Sequence, residues 1–151
     1  KVVNERMSGK EPMADLIVKS AKLKGTSFGA EIMPRLIDEI PVIAVAAMFA
    51  EGKTIITGAE ELRVKETDRL SAVVNEFSKM GGNIVGTEDG LIIGGTGKLN
   101  KANCYSYHDH RIAMALAVAG AAAEGVNIEN PDCVCISYPT FYQTLEKIKC
   151  N

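Results

Sequence analysis

Ala44-Val45-Ala46-Ala47-Met48-Phe49-Ala50-Glu51-Gly52 recurs as Ala117-Val118-Ala119-Gly120-Ala121-Ala122-Ala123-Glu124-Gly125, an offset, from Ala44 to Ala117, of 73 residues. Each copy is a small-residue apolar run closed by Glu-Gly, and each precedes a strand-like segment and then a further helix. Small-residue runs resemble one another by chance, so the run alone leaves duplication and coincidence both open. Element order favours duplication. The same offset sets Asp38 opposite Arg111 and Lys65-Glu66-Thr67 opposite Tyr138-Pro139-Thr140. Polar residues thus recur at matching helix entrances, where two repeats can line one surface.

Working outward, residues 35–51 read as one buried helix, apolar on nearly every side after its first turn, with Gly52 as its stop. Pro41 belongs in that helix's first turn or at a kink, which leaves Asp38 and Glu39 at the entrance. Thr54-Ile55-Ile56-Thr57 reads as a strand, and Leu70, Val73, Val74, Phe77 and Met80 form the stripe of a second helix ending at Gly81-Gly82. Ile84-Val85 and Leu91-Ile92-Ile93, separated by a segment with Asp89-Gly90, read as a hairpin. Asp109 caps a third helix running to Gly125; a strand near 126–128 and a helix from about Pro139 to Lys149 follow. Before Gly29 the apolar run Leu16-Ile17-Val18 suggests strands and turns. Lys1 opens neither with a Met nor with a capped element, so the chain is expected to begin partway through a larger protein.

The composition narrows the class. At 151 residues, 46% hydrophobic and 24% charged, the chain is long enough for one core and is ordinary for a globular domain. Seventeen Lys and Arg against 19 Asp and Glu give a net charge of −2, so no global charge attracts nucleic acid or an anionic membrane. The longest apolar stretch, residues 40–50, is too short to span a bilayer and no signal-peptide pattern opens the chain, which suggests a soluble, cytoplasmic protein. Aromatics are 5% and Trp is absent, which leaves few platforms for base stacking. Cys104, Cys133, Cys135 and Cys150 lack paired metal spacing and are expected to be reduced and structural. Cys104, His108, Asp109 and His110 are close in sequence, but on a short loop alternate positions need not converge on a metal.

Chemistry concentrates at two helix starts. Arg63-Val64-Lys65-Glu66-Thr67-Asp68-Arg69-Leu70 carries basic groups where they oppose the helix dipole, whereas an anionic ligand would gain from those cations and from the free N–H groups. A solvated helix start with a Glu66/Arg69 pair competes with that reading, and physics alone does not separate the two. His108-Asp109-His110-Arg111 repeats the arrangement before an apolar helix: Arg can grip phosphate or carboxylate through two hydrogen bonds, and His can donate one or exchange a proton. Asp38 alone would be a cap. Beside Glu66, Arg69 and Arg111 it offers one of two carboxylates for proton transfer on an anionic substrate.

Those two motifs, together with Pro34-Arg35-Leu36-Ile37-Asp38-Glu39-Ile40-Pro41, resemble the C-terminal part of the 5-enolpyruvylshikimate-3-phosphate synthases, and Asn4-Glu5-Arg6 with Gly9-Lys10-Glu11-Pro12 fits the bacterial forms. The resemblance spans nearly the whole chain. It implies an α+β (mixed α/β) fold of repeated β-α-β-α-β-β units, with helices packed against mixed sheets and an internal repeat over about 35–80 and 109–149. It also implies an active site between two domains, with the N-terminal domain of the same polypeptide lying outside this sequence. The implied reaction joins the 5-hydroxyl of shikimate 3-phosphate to C2 of phosphoenolpyruvate and then expels phosphate, as a step of aromatic amino acid biosynthesis inhibited by glyphosate. Metal and organic cofactors are not called for.

Carried over by motif, Asp38 would bind the shikimate hydroxyls and help deprotonate the 5-hydroxyl, while Glu66 would protonate and later deprotonate C3 of the donor. Lys65 would bridge substrate and intermediate. Arg69 and Arg111 would hold the donor's phosphate and carboxylate, with His110 in support. Ile136-Ser137-Tyr138-Pro139 departs from a Lys-Thr-Phe-Pro pattern common in the family, so that Lys role is unassigned. Two other readings stay open: a UDP-N-acetylglucosamine enolpyruvyltransferase, disfavoured by Asp109-His110-Arg111, and a non-catalytic domain that binds anions weakly.

Overall fold

Pro41 decides how the first apolar segment folds. Its ring crowds the carbonyl four residues back, at Ile37, and it has no N–H to donate. The expected single helix over 35–51 is therefore divided into α1 (Met33–Leu36), a 3-10 turn (Ile37–Glu39) and α2 (Ile40–Met48), with Pro41 in the first turn of α2. Asp38 and Glu39 stand at the entrance, as expected. The helix ends before Glu51 because that residue's backbone is spent elsewhere: Glu51 N–H donates to Leu23 O, and Gly25 N–H donates to Glu51 O. Nor is α2 buried all round, since Val42 and Ala46 face outward.

The structure, a computed structural model, describes residues 1–148. The chain runs β1 (Val2–Ser8), β2 (Glu11–Leu16), β3 (Ser27–Phe28), α1, α2, β4 (Lys53–Ile56), α3 (Arg69–Lys79), β5 (Asn83–Gly86), β6 (Leu91–Gly94), β7 (Ala102–Tyr105), α4 (His110–Ala122), β8 (Val126–Glu129) and α5 (Phe141–Ile148). Further 3-10 turns span Glu60–Val64 and Pro131–Ile136. The predicted end of the last helix at Lys149 lies outside the described residues, as does Cys150.

Strands β1 and β2 form an antiparallel hairpin, and β3-β4-β6-β5 form a mixed sheet in which only β3 and β4 are parallel. The parallel pair β7-β8 was not fully expected, because 104–110 read as a short loop. Ala102-Asn103-Cys104-Tyr105 has little strand patterning of its own and becomes a strand only by pairing with residues over twenty positions away. From β3 to β6 the element order is β-α-β-α-β-β, counting α2 and α3 as its helices; from β7 onward it is β-α-β-α among the described residues. This is an α+β fold of helices against mixed sheets. Helix α2 packs on β6, α3 on β5 and β7, and α4 on β8, while α2 and α4 lie against each other. One apolar cluster joins them, including Ile40, Met48, Leu70, Phe77, Ile112 and Leu116.

Candidate functional site

Arg69 explains why a cation opens α3. Its side chain is 1% exposed, and carboxylates from three separate stretches converge on the guanidinium. Nε donates to Asp109 Oδ2 at 2.7 Å, Nη1 to Asp38 Oδ1 at 2.9 Å and Nη2 to Glu66 Oε2 at 2.6 Å, with a longer Nη2 contact to Asp109 Oδ1 at 3.4 Å. Four of the five N–H donors of the fork are thereby used. Burial alone would push the Arg69 pKa down, but the hydrogen bond and charge of Asp109, reinforced by Glu66 and Asp38, hold it above its ordinary value. The Glu66/Arg69 pair exists, yet the helix start is not a solvated one.

Each remaining group is set by its element. Asp109 is fully buried and caps α4, its Oδ1 accepting from Arg111 N–H at 2.8 Å and Ile112 N–H at 3.3 Å. Arg111, one position into α4, reaches across to the entrance of α2. Its Nη1 donates to the Asp38 carbonyl at 3.0 Å and to Glu39 Oε1 at 3.2 Å, and its Nη2 lies 3.5 Å from Asp38 Oδ2. The two positions related by the 73-residue offset are therefore in direct contact. Lys65, just before α3, donates to Glu61 Oε1 at 2.9 Å, and that bond raises its pKa. His110, at the first turn of α4, is 8% exposed and its Nδ1 is buried without a hydrogen-bond partner. That is a costly condition for a polar atom.

Beside this cluster lies a groove of about 170 Å³ whose lining includes Asp38, Glu39, Val42, Arg111, Met114 and Phe141. Three of its lining residues are charged and the other six are apolar. Asp38 and Glu66 remain 42% and 49% exposed, so a carboxylate face is open to a ligand while the arginine beneath it is not.

Asp38, Glu66, Arg69 and Arg111 are thus brought together, with His110 and Lys65 on the same helix entrances. Sequence reasoning weighed Asp109 as a cap, as a neighbour in a metal cluster and as part of a motif, but not as the partner of Arg69; it placed Glu39 at the entrance without a role in the site and did not single out Glu61. The signal for Asp109 was available: a cation at a helix N-terminus calls for a compensating carboxylate, although sequence spacing does not say which one. Cys104 does not join the site. Burial, aided by the nearby Glu76 charge, pushes its thiol up to about 11, and its Sγ donates to the Glu76 carbonyl at 3.8 Å. Among the described residues no three His, Cys, Asp or Glu side chains are placed to hold a metal. No helix among them is long and apolar enough to cross a membrane.

The entrances of α2, α3 and α4 are thus gathered at one place, joined through Asp38, Arg69, Asp109 and Arg111. The chain belongs to the family described as EPSP synthase (3-phosphoshikimate 1-carboxyvinyltransferase), which matches residues 3–145. It is 55% identical over 148 residues to the 3-phosphoshikimate 1-carboxyvinyltransferase of Thermoanaerobacter sp. (strain X514), covering 97% of this chain and 35% of that protein. With the enzyme of the same name from Herpetosiphon aurantiacus it shares 52% identity over 149 residues, 98% of this chain and 35% of that one. Among solved structures, the EPSP synthase from Acinetobacter baumannii superposes with a TM-score of 0.94 at 40% identity, over 99% of this chain and 36% of that chain. The chain spans about a third of the length of the relatives it matches.

Proposed function

We propose that this chain forms one wall of an active site that transfers the enolpyruvyl group of phosphoenolpyruvate to the 5-hydroxyl of shikimate 3-phosphate. The observation that carries the reading is the convergence of three separate motifs on Arg69, at 2.6 to 2.9 Å. The family match favours shikimate 3-phosphate over a UDP-sugar as the acceptor. Asp38 takes the proton from the 5-hydroxyl as its oxygen bonds to C2 of the donor, and Glu66 delivers a proton to C3. The tetrahedral adduct then loses phosphate from C2, which departs with the proton that Asp38 had taken, while Glu66 removes a proton from C3, restoring the double bond and returning both carboxyl groups to their starting states. Proton balance closes without metal or organic cofactor.

Arg111 holds the donor's charges, and an arriving anion competes with Asp38 and Glu39 for its guanidinium. Arg69 contributes positive charge from beneath, and Lys65 leaves Glu61 to bridge substrate and intermediate. His110 Nδ1 gains the partner it lacks here. We also read the elements from β3 to β6 and from β7 onward as two copies of one unit, with the Asp38–Arg111 contact joining equivalent corners. The rest of the polypeptide, including an N-terminal domain, would supply the facing wall, and the enzyme would work in the cytoplasm.

Phosphate release by the full-length polypeptide, dependent on both substrates, tests the reaction. The 151-residue chain alone should show none, because water exclusion and positioning need both walls. Glu66→Gln should lower turnover by about 10²-fold or more and slow solvent-deuterium entry into the donor methylene. Normal turnover and exchange in that variant would remove Glu66 from the proton transfers.

A further inference from the structure

Helix α3 carries a second buried charge that the proposed reaction does not use. Glu76 is fully buried, seven residues and two turns beyond Arg69 on the same face. Its carboxylate accepts from Tyr105 N–H at 2.9 Å, from the Tyr107 hydroxyl at 2.9 Å and from Lys79 Nζ at 2.8 and 2.7 Å. Tyr105 and Tyr107 belong to the segment that leads from β7 into Asp109, His110 and Arg111. Within it Tyr107 and His108 both have positive φ, 57° and 56°, a conformation disfavoured for residues bearing a large side chain. Consecutive residues of this kind persist only where the surroundings over-determine them.

The surroundings do so from both ends. Arg69 grips Asp109 at the α4 end and Glu76 grips Tyr105 and Tyr107 at the β7 end. Between these points, Ser106 is fully buried; its Oγ donates to Asn130 O at 3.0 Å and accepts from His108 N–H at 3.2 Å. For stability alone an apolar residue would fill the Glu76 position at less cost than a buried carboxylate. We propose that Glu76 is a positioning residue which, with Arg69, clamps loop 105–109 along two turns of α3 and so fixes where Arg111 and His110 meet the donor.

This inference rests on the proposed reaction for its kinetic readout but not for its structural one. In the full-length protein, Tyr107→Phe keeps the ring and removes one hydrogen bond to Glu76; Glu76→Gln keeps the shape and removes the charge. The clamp requires the KM for phosphoenolpyruvate to rise by roughly 3- to 10-fold in each, with kcat changed by less than about twofold. A residue that serves stability only would lower Tm and leave both constants alone, and that result overturns the proposal. If Glu76→Gln does not fold, Tyr107→Phe decides. If the unaltered protein shows no turnover, the proposed reaction fails. The clamp is then judged by the Arg111 Nε–H resonance, which must shift or broaden in Tyr107→Phe and whose constancy would refute it.

Discussion

Arg69 and Arg111 carry the same group in opposite circumstances, and their substitution should separate stability from ligand binding. Arg69→Leu leaves the fully buried Asp109 without its charged partner, which should cost about 3–5 kcal/mol. Arg111 is 29% exposed and its partners remain solvated, so Arg111→Leu should cost about 1 kcal/mol or less. Urea midpoints of the full-length protein measure both. In kinetics the order reverses in kind: Arg111→Lys keeps one charge but loses the planar fork, so weaker donor binding should be its main effect. Equal stability losses for the two leucine variants would show that burial does not distinguish the two arginines. Asp38, Glu66, Arg69, His110 and Arg111 were all legible as site candidates, because their types and places at helix starts are local facts. Their partners were less so. That Arg69 would be consumed by carboxylates rather than left free depends on Asp38 and Asp109, at separations of 31 and 40 residues, and no local pattern encodes such pairings. Glu76 did give a sign, as a charge among the apolar positions Val73, Phe77 and Met80, but an apolar stripe does not reveal which donors will meet it.

At the level of elements, what was legible followed from period and punctuation. Helices α3 and α4, strand β4 and the β5-β6 hairpin stand close to where the stripe of Leu70 to Met80, the Asp109 cap and the Asp89-Gly90 turn put them. The ends of α2 and the existence of β7 were not legible, since they depend on Leu23 and Gly25 pairing with Glu51 and on Val126–Glu129 pairing with Ala102–Tyr105. Two elements invite tests. Asp68 caps α3, accepting from Ser71 N–H at 3.0 Å and Ser71 Oγ–H at 2.7 Å, and it pairs with Arg63. Burial pushes its carboxyl up, but the bonds from Ser71 and the Arg63 charge outweigh this and leave it below the ordinary value. A lowered carboxyl stabilises the fold above its unfolded value of about 4 and ceases to as pH falls through the folded value. Asp68→Ala should therefore cost about 1 kcal/mol at neutral pH, and its gap from the unaltered protein should close as pH falls below 4. A gap that persisted to pH 2 would assign the stabilisation to something other than the charge. In α4, a Cβ on Gly120 would overlap the Val126 side chain where helix meets strand. The helix-propensity gain of about 1 kcal/mol for Gly120→Ala is opposed by overpacking of about 1–3 kcal/mol. The second term should win, giving a lower Tm, and a raised Tm would mean that α4 can slide off β8 at little cost.

Across the whole molecule, stability is concentrated unevenly, and that sets what the chain should do on its own. The apolar cluster takes residues from α2, α3, α4, β4 and β6 together, so these elements should open as one unit. The β1-β2 hairpin is different. Val2, Met7, Met13, Leu16 and Val18 are exposed, and the hairpin is a sheet of only two strands, which is marginal in water without a partner surface. After it come Lys19, Lys22 and Lys24, exposed residues ahead of the pairing of Lys24 with Glu51 and of β3 with β4. Trypsin acting briefly on the isolated chain should cut first at Lys19 or Lys22, where extended, exposed backbone can enter a protease without opening the core. The remaining piece should hold its far-ultraviolet dichroism and resist cutting at Arg69 and Lys79, because both lie in α3 and cleavage there needs the clustered unit to open. Mass spectrometry of early products identifies the first cut. Early cleavage at Arg69 or Lys79 would be decisive against this picture: a guanidinium held by three carboxylates and a lysine held by a buried one reach a protease only when α3 leaves the core. The site would then depend on the rest of the polypeptide for its shape as well as for its facing wall.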